Sequence, residues 1–165
     1  MKTGITLLLL LVLILPGCKS ISQNTTKAEA SMLGPGWDII NADDKFRFYI
    51  PQNMQKQDTH GIDSYVEEYR NKNMRVSFDY GIYSDPLDAY SMEPEYQEIK
   101  EVISGREVKI VYFKPTSFAS EYKYYAGVHF PTVQEGGSKL TMVVEFNDEK
   151  DWETAKTIFR SIYFE

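Results

Sequence analysis

The sequence predicts an α+β domain, a mostly antiparallel β-sheet covered by a C-terminal helix, with one further short helix. Three observations carry this. Apolar residues alternate in several runs, as in Met74, Val76, Phe78, Tyr80 and Ile82, while Arg75, Ser77 and Asp79 take the opposite face. Short turn signals such as Ser104-Gly105 join neighbouring runs. The period then changes at the end, where Trp152, Ala155, Ile158, Phe159 and Ile162 recur at helical spacing. An apolar face on a sheet and one on a helix pack together.

The chain opens with Met1 and Lys2, followed by an apolar run from Ile5 to Leu15 that closes on Leu15-Pro16-Gly17-Cys18. The run is shorter than the roughly 20 residues that span a hydrocarbon core. It has the length and polarity order of a secretory leader. Its closing tetrapeptide resembles the lipobox of bacterial lipoproteins. That resemblance implies removal of residues 1–17, acylation of Cys18 and attachment to a membrane through the lipid. Lys19 after the cysteine resembles the outer-membrane sorting pattern of a Gram-negative host. Residues 18–36 are small and polar and include Gly34-Pro35-Gly36, which predicts a lipidated cysteine followed by a flexible tether. Residues 37–165 form the single folded domain, within the usual size for one.

Charge and cysteine usage narrow the partners. Loss of Lys2 with the leader deepens the net charge from −6 to −7. This balance argues against nucleic acid and against anionic lipid as partners, since both are held by Lys/Arg clusters. Cys18 is the single cysteine, so disulfides and Cys-ligated metals have no partner residue. The domain must be held by packing, and its 12 Tyr and 9 Phe suit a pleated, half-buried surface.

Within the domain, Trp37–Ile40 and Phe46–Ile50 read as a hairpin around Asn41–Asp44, ended by Pro51. Ile62–Arg70 and Met74–Tyr83 form a second pair around Asn71-Lys72-Asn73. Asp85-Pro86 predicts a helix with Asp85 as N-cap and Pro86 at the first position, limited to one or two turns by Pro94. Tyr96–Ile103 and Arg106–Phe113 flank the Ser104-Gly105 turn, and Tyr122–Phe130 alternates. Gly136-Gly137 turns the chain into a strand with Leu140, Met142, Val144 and Phe146 on one face. Asn147 or Asp148 then caps the final helix, with Asp151 and Glu153 complementing its positive end.

The strand ending Phe-x-Phe-x-x-Pro, the Ser-Gly hairpin in residues 101–108, the Tyr-rich strand and the closing segment 155–164 together resemble the Mog1/PsbP/DcrB-like fold over residues 37–165. The resemblance implies a small binding or assembly module, exported or lipid-anchored in several members.

Candidate chemistry is sparse. His60, in Asp58-Thr59-His60-Gly61-Ile62-Asp63, offers an imidazole and two carboxylates but has no second His at ligand spacing, so an exposed turn is the expectation. His129 falls opposite the apolar row of its strand and reads as a solvated or hydrogen-bonded strand histidine. No Gly-x-Ser-x-Gly elbow surrounds Ser117 or Ser120. Glu93, Glu95, Glu98 and Glu101 lack the spacing of a calcium loop and read as a solvated face. The tyrosines remain: Tyr122 is expected in the core and Tyr125 on the exposed side, where it would contribute to an aromatic platform. The sequence thus points to an envelope binding or assembly module without catalytic activity or cofactor, whose partner is a protein or envelope component. The alternative is a small hydrolase or metal-dependent enzyme using His60 or His129.

Overall fold

A computed structural model describes residues 33, 35–116, 120–134 and 136–164. The leader, Cys18 and almost all of the tether lie outside the described residues, as does Ser117. Among the described residues no helix is long and apolar enough to cross a membrane.

The runs of alternating residues become strands β1 (Trp37–Ala42) and β2 (Phe46–Pro51), then β4 (Tyr65–Arg70) and β5 (Met74–Gly81), and a two-residue strand β3 (Gln55–Lys56) forms between them in a stretch whose polar sequence reads as loop. They continue as β6 (Gln97–Ile103), β7 (Arg106–Phe113), β8 (Tyr124–Phe130) and β9 (Lys139–Phe146). Helix α1 (Trp152–Arg160) and strand β10 (Tyr163–Phe164) end the chain. Ser104 and Gly105 both adopt positive φ, 52° and 72°, the geometry a two-residue hairpin turn requires between β6 and β7.

The strands divide into two antiparallel sheets. The larger has the order β3-β4-β5-β9-β8-β7-β6, and the smaller the order β1-β2-β10. The first hairpin therefore belongs to the covering layer together with α1, and the helix alone does not cover the main sheet. Phe46, Phe48 and Ile50 from β2, and Ala155, Ile158 and Phe159 from α1, are buried in one cluster with Val76, Phe78, Leu140, Met142, Val144 and Phe146 of the main sheet. Phe46 meets Phe78 edge-on at 5.0 Å between centroids, the preferred arrangement of two ring quadrupoles. The helix is entered through a 3₁₀ turn, Glu149–Asp151, which Asp148 caps by accepting from the Lys150 N–H at 3.2 Å.

The expected helix after Asp85-Pro86 does not form. Leu87 takes the left-handed conformation (φ 63°), and only a 3₁₀ turn, Asp88–Tyr90, follows. Asp85 Oδ1 accepts from the Leu87 N–H at 2.7 Å, closing a local turn two residues on. The reason is topological. β5 is third from one edge of the sheet and β6 is the opposite edge, so residues 82–96 must cross β9, β8 and β7. A helix stacked on the Asp85 cap would not make that crossing with Leu87 turned down onto the sheet.

Candidate functional site

The crossing segment 82–96 forms a strap over the face of the main sheet that points away from the core. Leu87 is fully buried there, in a second small cluster with Val111 and Phe113, joined by Tyr90, Tyr96 and Tyr125. Gly127 lets the strap approach: a Cβ at that position would lie 2.8 Å from Leu87 Cδ1. Phe113 and Tyr125 stack at 4.4 Å, and Tyr90 lies over both, at 4.9 and 5.2 Å.

A polar row runs beneath the strap. The strand registers set Asp79 of β5 beside Thr141 of β9, Thr141 beside His129 of β8, and His129 beside Lys109 of β7. The Thr141 hydroxyl donates to the Asp85 carbonyl at 2.6 Å and lies 2.7 Å from Ser84 Oγ. With that proton committed, His129 Nδ1, at 2.9 Å from Thr141 Oγ1, is the donor of its own contact. Burial, with Lys109 and Lys139 nearby, holds the His129 pKa below its ordinary value and keeps the imidazole neutral. Lys109 forms an ion pair with Asp88 on the strap. Ser84, Thr141 and His129 act here as pins: each hydroxyl is buried and its bonds tie the strap to the sheet.

A cleft of about 290 Å³ opens between the strap and strands β4, β5 and β9. Val66, Val143, Leu87 and Tyr125 supply apolar wall, and Ser77, Asp79 and Asp85 supply polar groups. Asp79 Oδ1 is shut away from solvent without a hydrogen-bond partner.

A second polar cluster lies on the other side of β4. The β4–β5 register places Tyr65, Glu67 and Tyr69 beside Tyr80, Phe78 and Val76, on the core face. Glu67 is buried, accepts from the Tyr65 and Tyr69 hydroxyls at 2.6 Å each, and pairs with Lys56. Burial alone would raise the Glu67 pKa, but the bonds from Lys56 and the two phenols outweigh it and hold it below the ordinary carboxylate value. The same burial and the same carboxylate push both phenols up. This constellation was missed in the sequence; Tyr-x-Glu-x-Tyr at alternate positions was its signal.

The remaining sequence candidates separate. His60 is exposed on the loop before β4, 3.4 Å from Asp58 and far in chain and sheet position from His129. Among the described residues no group of three His, Cys, Asp or Glu is placed to hold a metal. Among the described residues, Ser120 bonds the Tyr122 backbone. The four glutamates do not converge: Glu93 accepts from Thr116, Glu95 pairs with Lys114, Glu98 accepts from Tyr96, and Glu101 pairs with Arg160 of α1. Tyr122 is buried, as expected. Tyr125 is not the exposed platform residue: the strap covers its face of the sheet, and burial against Phe113 and Tyr90 raises its pKa strongly.

No protein-family model matches the chain, and no curated protein matches it in sequence. In backbone it is similar to the solution structure of cyanobacterial PsbP (CyanoP) from a Synechocystis species, with a TM-score of 0.51. The match covers 81% of this chain and 95% of that one at 14% identity, a likeness of fold that agrees with the PsbP-like pattern of turns and strands.

Proposed function

We propose that the chain is a lipid-anchored binding or assembly module of a bacterial cell envelope, without catalytic activity of its own. The observation that carries the anchor is the apolar run of residues 5–15 closing on Leu15-Pro16-Gly17-Cys18. Acylation of Cys18 supplies the membrane contact, and two or more chains suffice, at about 0.8 kcal/mol per buried methylene. The PsbP-like fold and the commitment of the Ser84 and Thr141 hydroxyls to the strap support binding over turnover. In this reading the partner is a protein or envelope component, and Lys19 directs the module to the outer membrane of a Gram-negative host.

Cys18→Ala tests the anchor. Metabolic labelling with a palmitate analogue is expected to mark the wild type and leave the variant unmarked and uncleaved. Equal label on both sinks the proposal, and sedimentation with inner-membrane markers in a sucrose gradient sinks the sorting.

A further inference from the structure

The outer edge of β6 is a strand surface that the fold leaves open. β6 ends the main sheet, and among the described residues no strand pairs with its outer side. Gln97, Glu98, Ile99, Lys100 and Val102 are all exposed, Val102 by 67%. The two-residue turn at Ser104-Gly105 makes Ile103 and Arg106 a hydrogen-bonded pair. Bonding to β7 then alternates along the strand, so the backbone N–H and C=O groups of Glu98, Lys100 and Val102 point outwards. The other sheet edges differ: β3 and β10 have two residues each, and β1 carries one charge, Asp38, which finds no cation in any self-pairing. An open edge as long as β6 is a template for another strand, and charged side chains are the usual guard against it.

The charges of β6 set which self-pairing is allowed. Two copies related by a two-fold axis through this edge pair antiparallel, with each side chain on its own face of the continued sheet. An axis at Glu98, Lys100 or Glu101 sets that charge against its own copy, which is destabilising. An axis at Gln97 or Val102 leaves most of the strand unpaired. An axis at Ile99 brings opposite charges together: Glu98 faces Lys100 of the second copy, and Lys100 faces Glu98 of the second copy. These residues carry the outward backbone groups, so the same register closes the hydrogen-bonded ladder. On the core side Ile99, 36% exposed, meets its own copy at the non-hydrogen-bonded position, where side chains come closest. Val102 comes opposite Tyr96, whose ring already lies against the strap cluster. Glu101 faces the neutral Gln97 and keeps its ion pair with Arg160.

We infer that β6 is the interface of a homodimer, in which the edges of two copies pair antiparallel about Ile99 and join the two main sheets into one. The occupant is a second copy of this chain because both halves of each complementary pair lie on the same strand. The inference goes beyond the binding reading and needs no acyl group.

Disulfide trapping of the full chain in detergent solution reads the register. Ile99→Cys puts two thiols across the non-hydrogen-bonded pair, with Cα atoms about 4.5 Å apart, inside the range of a disulfide. Lys100→Cys puts its thiol opposite position 98 of the other copy, so the two thiols stand beyond a disulfide's reach of about 7 Å between Cα atoms. Under copper–phenanthroline, Ile99→Cys is expected to give at least ten times the covalent dimer of Lys100→Cys and of the wild type, whose single cysteine, Cys18, sets the background. In the Ile99→Cys chain, Glu98→Lys or Lys100→Glu alone turns both ion pairs into like-charge contacts and is expected to cut the yield at least fivefold. The two together restore the pairs with their signs exchanged and are expected to recover the yield to within twofold, which variants that merely misfold would not do. A dimer band no stronger than the wild type's, equal trapping in Lys100→Cys, unchanged yield in the single reversals, no recovery in the double one, or a mixed disulfide with another protein in place of the dimer overturns the inference. Trapping does not depend on acylation, so this test and the palmitate label fail separately.

Discussion

Leu87 gives the sharpest test of how the strap is held. Its side chain is fully buried over Gly127, between Val111 and Phe113. Its backbone is left-handed, which costs a side-chain-bearing residue about 1–2 kcal/mol. Leu87→Ala removes the buried atoms and keeps that conformational cost, for a loss of about 2–5 kcal/mol. Leu87→Gly removes those atoms and Cβ with them, and relieves the cost. After allowance for the greater entropy of glycine in the unfolded chain, it should be less damaging than Ala by about 1 kcal/mol. The usual order, in which glycine is the worse substitution, is therefore reversed. Urea melts with an unchanged slope report the two midpoints directly. Hydrogen exchange adds where the loss falls: amides of residues 82–96 should lose protection in Leu87→Ala before the strands beneath them. A glycine variant less stable than the alanine variant, or an alanine variant that melts like the wild type, refutes the reasoning.

Phe159, fully buried on α1, should cost about 3–5 kcal/mol on truncation to Ala, a large part of a domain's total of about 5–15, whereas exposed Glu153→Ala should stay within about 0.5; urea midpoints compare them. Glu67 has a lowered folded pKa, so its contribution is present above the unfolded value near 4.5 and is lost as pH falls through the folded one. Glu67→Gln should thus destabilise by about 1–3 kcal/mol at neutral pH, with the gap to wild type closing in acid melts. His129 also has a lowered folded pKa, but its charged form is the disfavoured one. The unfolded chain takes the proton first, so stability should fall as pH drops below about 6.5, and His129→Gln should flatten that part of the melting-point curve.

The strands were legible because alternation is set by one buried face, and the pairs 46–51 with 37–42 and 97–103 with 106–113 appear where their turns placed them. The division into two sheets was not, because Phe46 and Phe48 alternate in the same way whether they belong to the main sheet or cover it. Asp85-Pro86 carries a local start signal that a tertiary contact overrode: burying Leu87 over Gly127 outweighs one turn of helix, and glycine at 127 gives no hint of what will sit on it. Tyr125 failed for the same reason. Period two assigns a side chain to a face, but whether that face meets water depends on a crossing that only strand order reveals. The cleft was illegible in turn, since its walls come from four strands and the strap.

The pairing of β2 with β10 has a temporal consequence. Phe46 lies opposite Phe164, so the second strand of the domain completes its sheet with the last one. A chain that emerges N-terminus first holds Phe46 and Phe48 without their lid until its final residues are free, and contacts this distant in sequence form slowly. A nascent chain stalled anywhere before residue 163 should remain a substrate for proteases and holdases, however many of its earlier hairpins have formed.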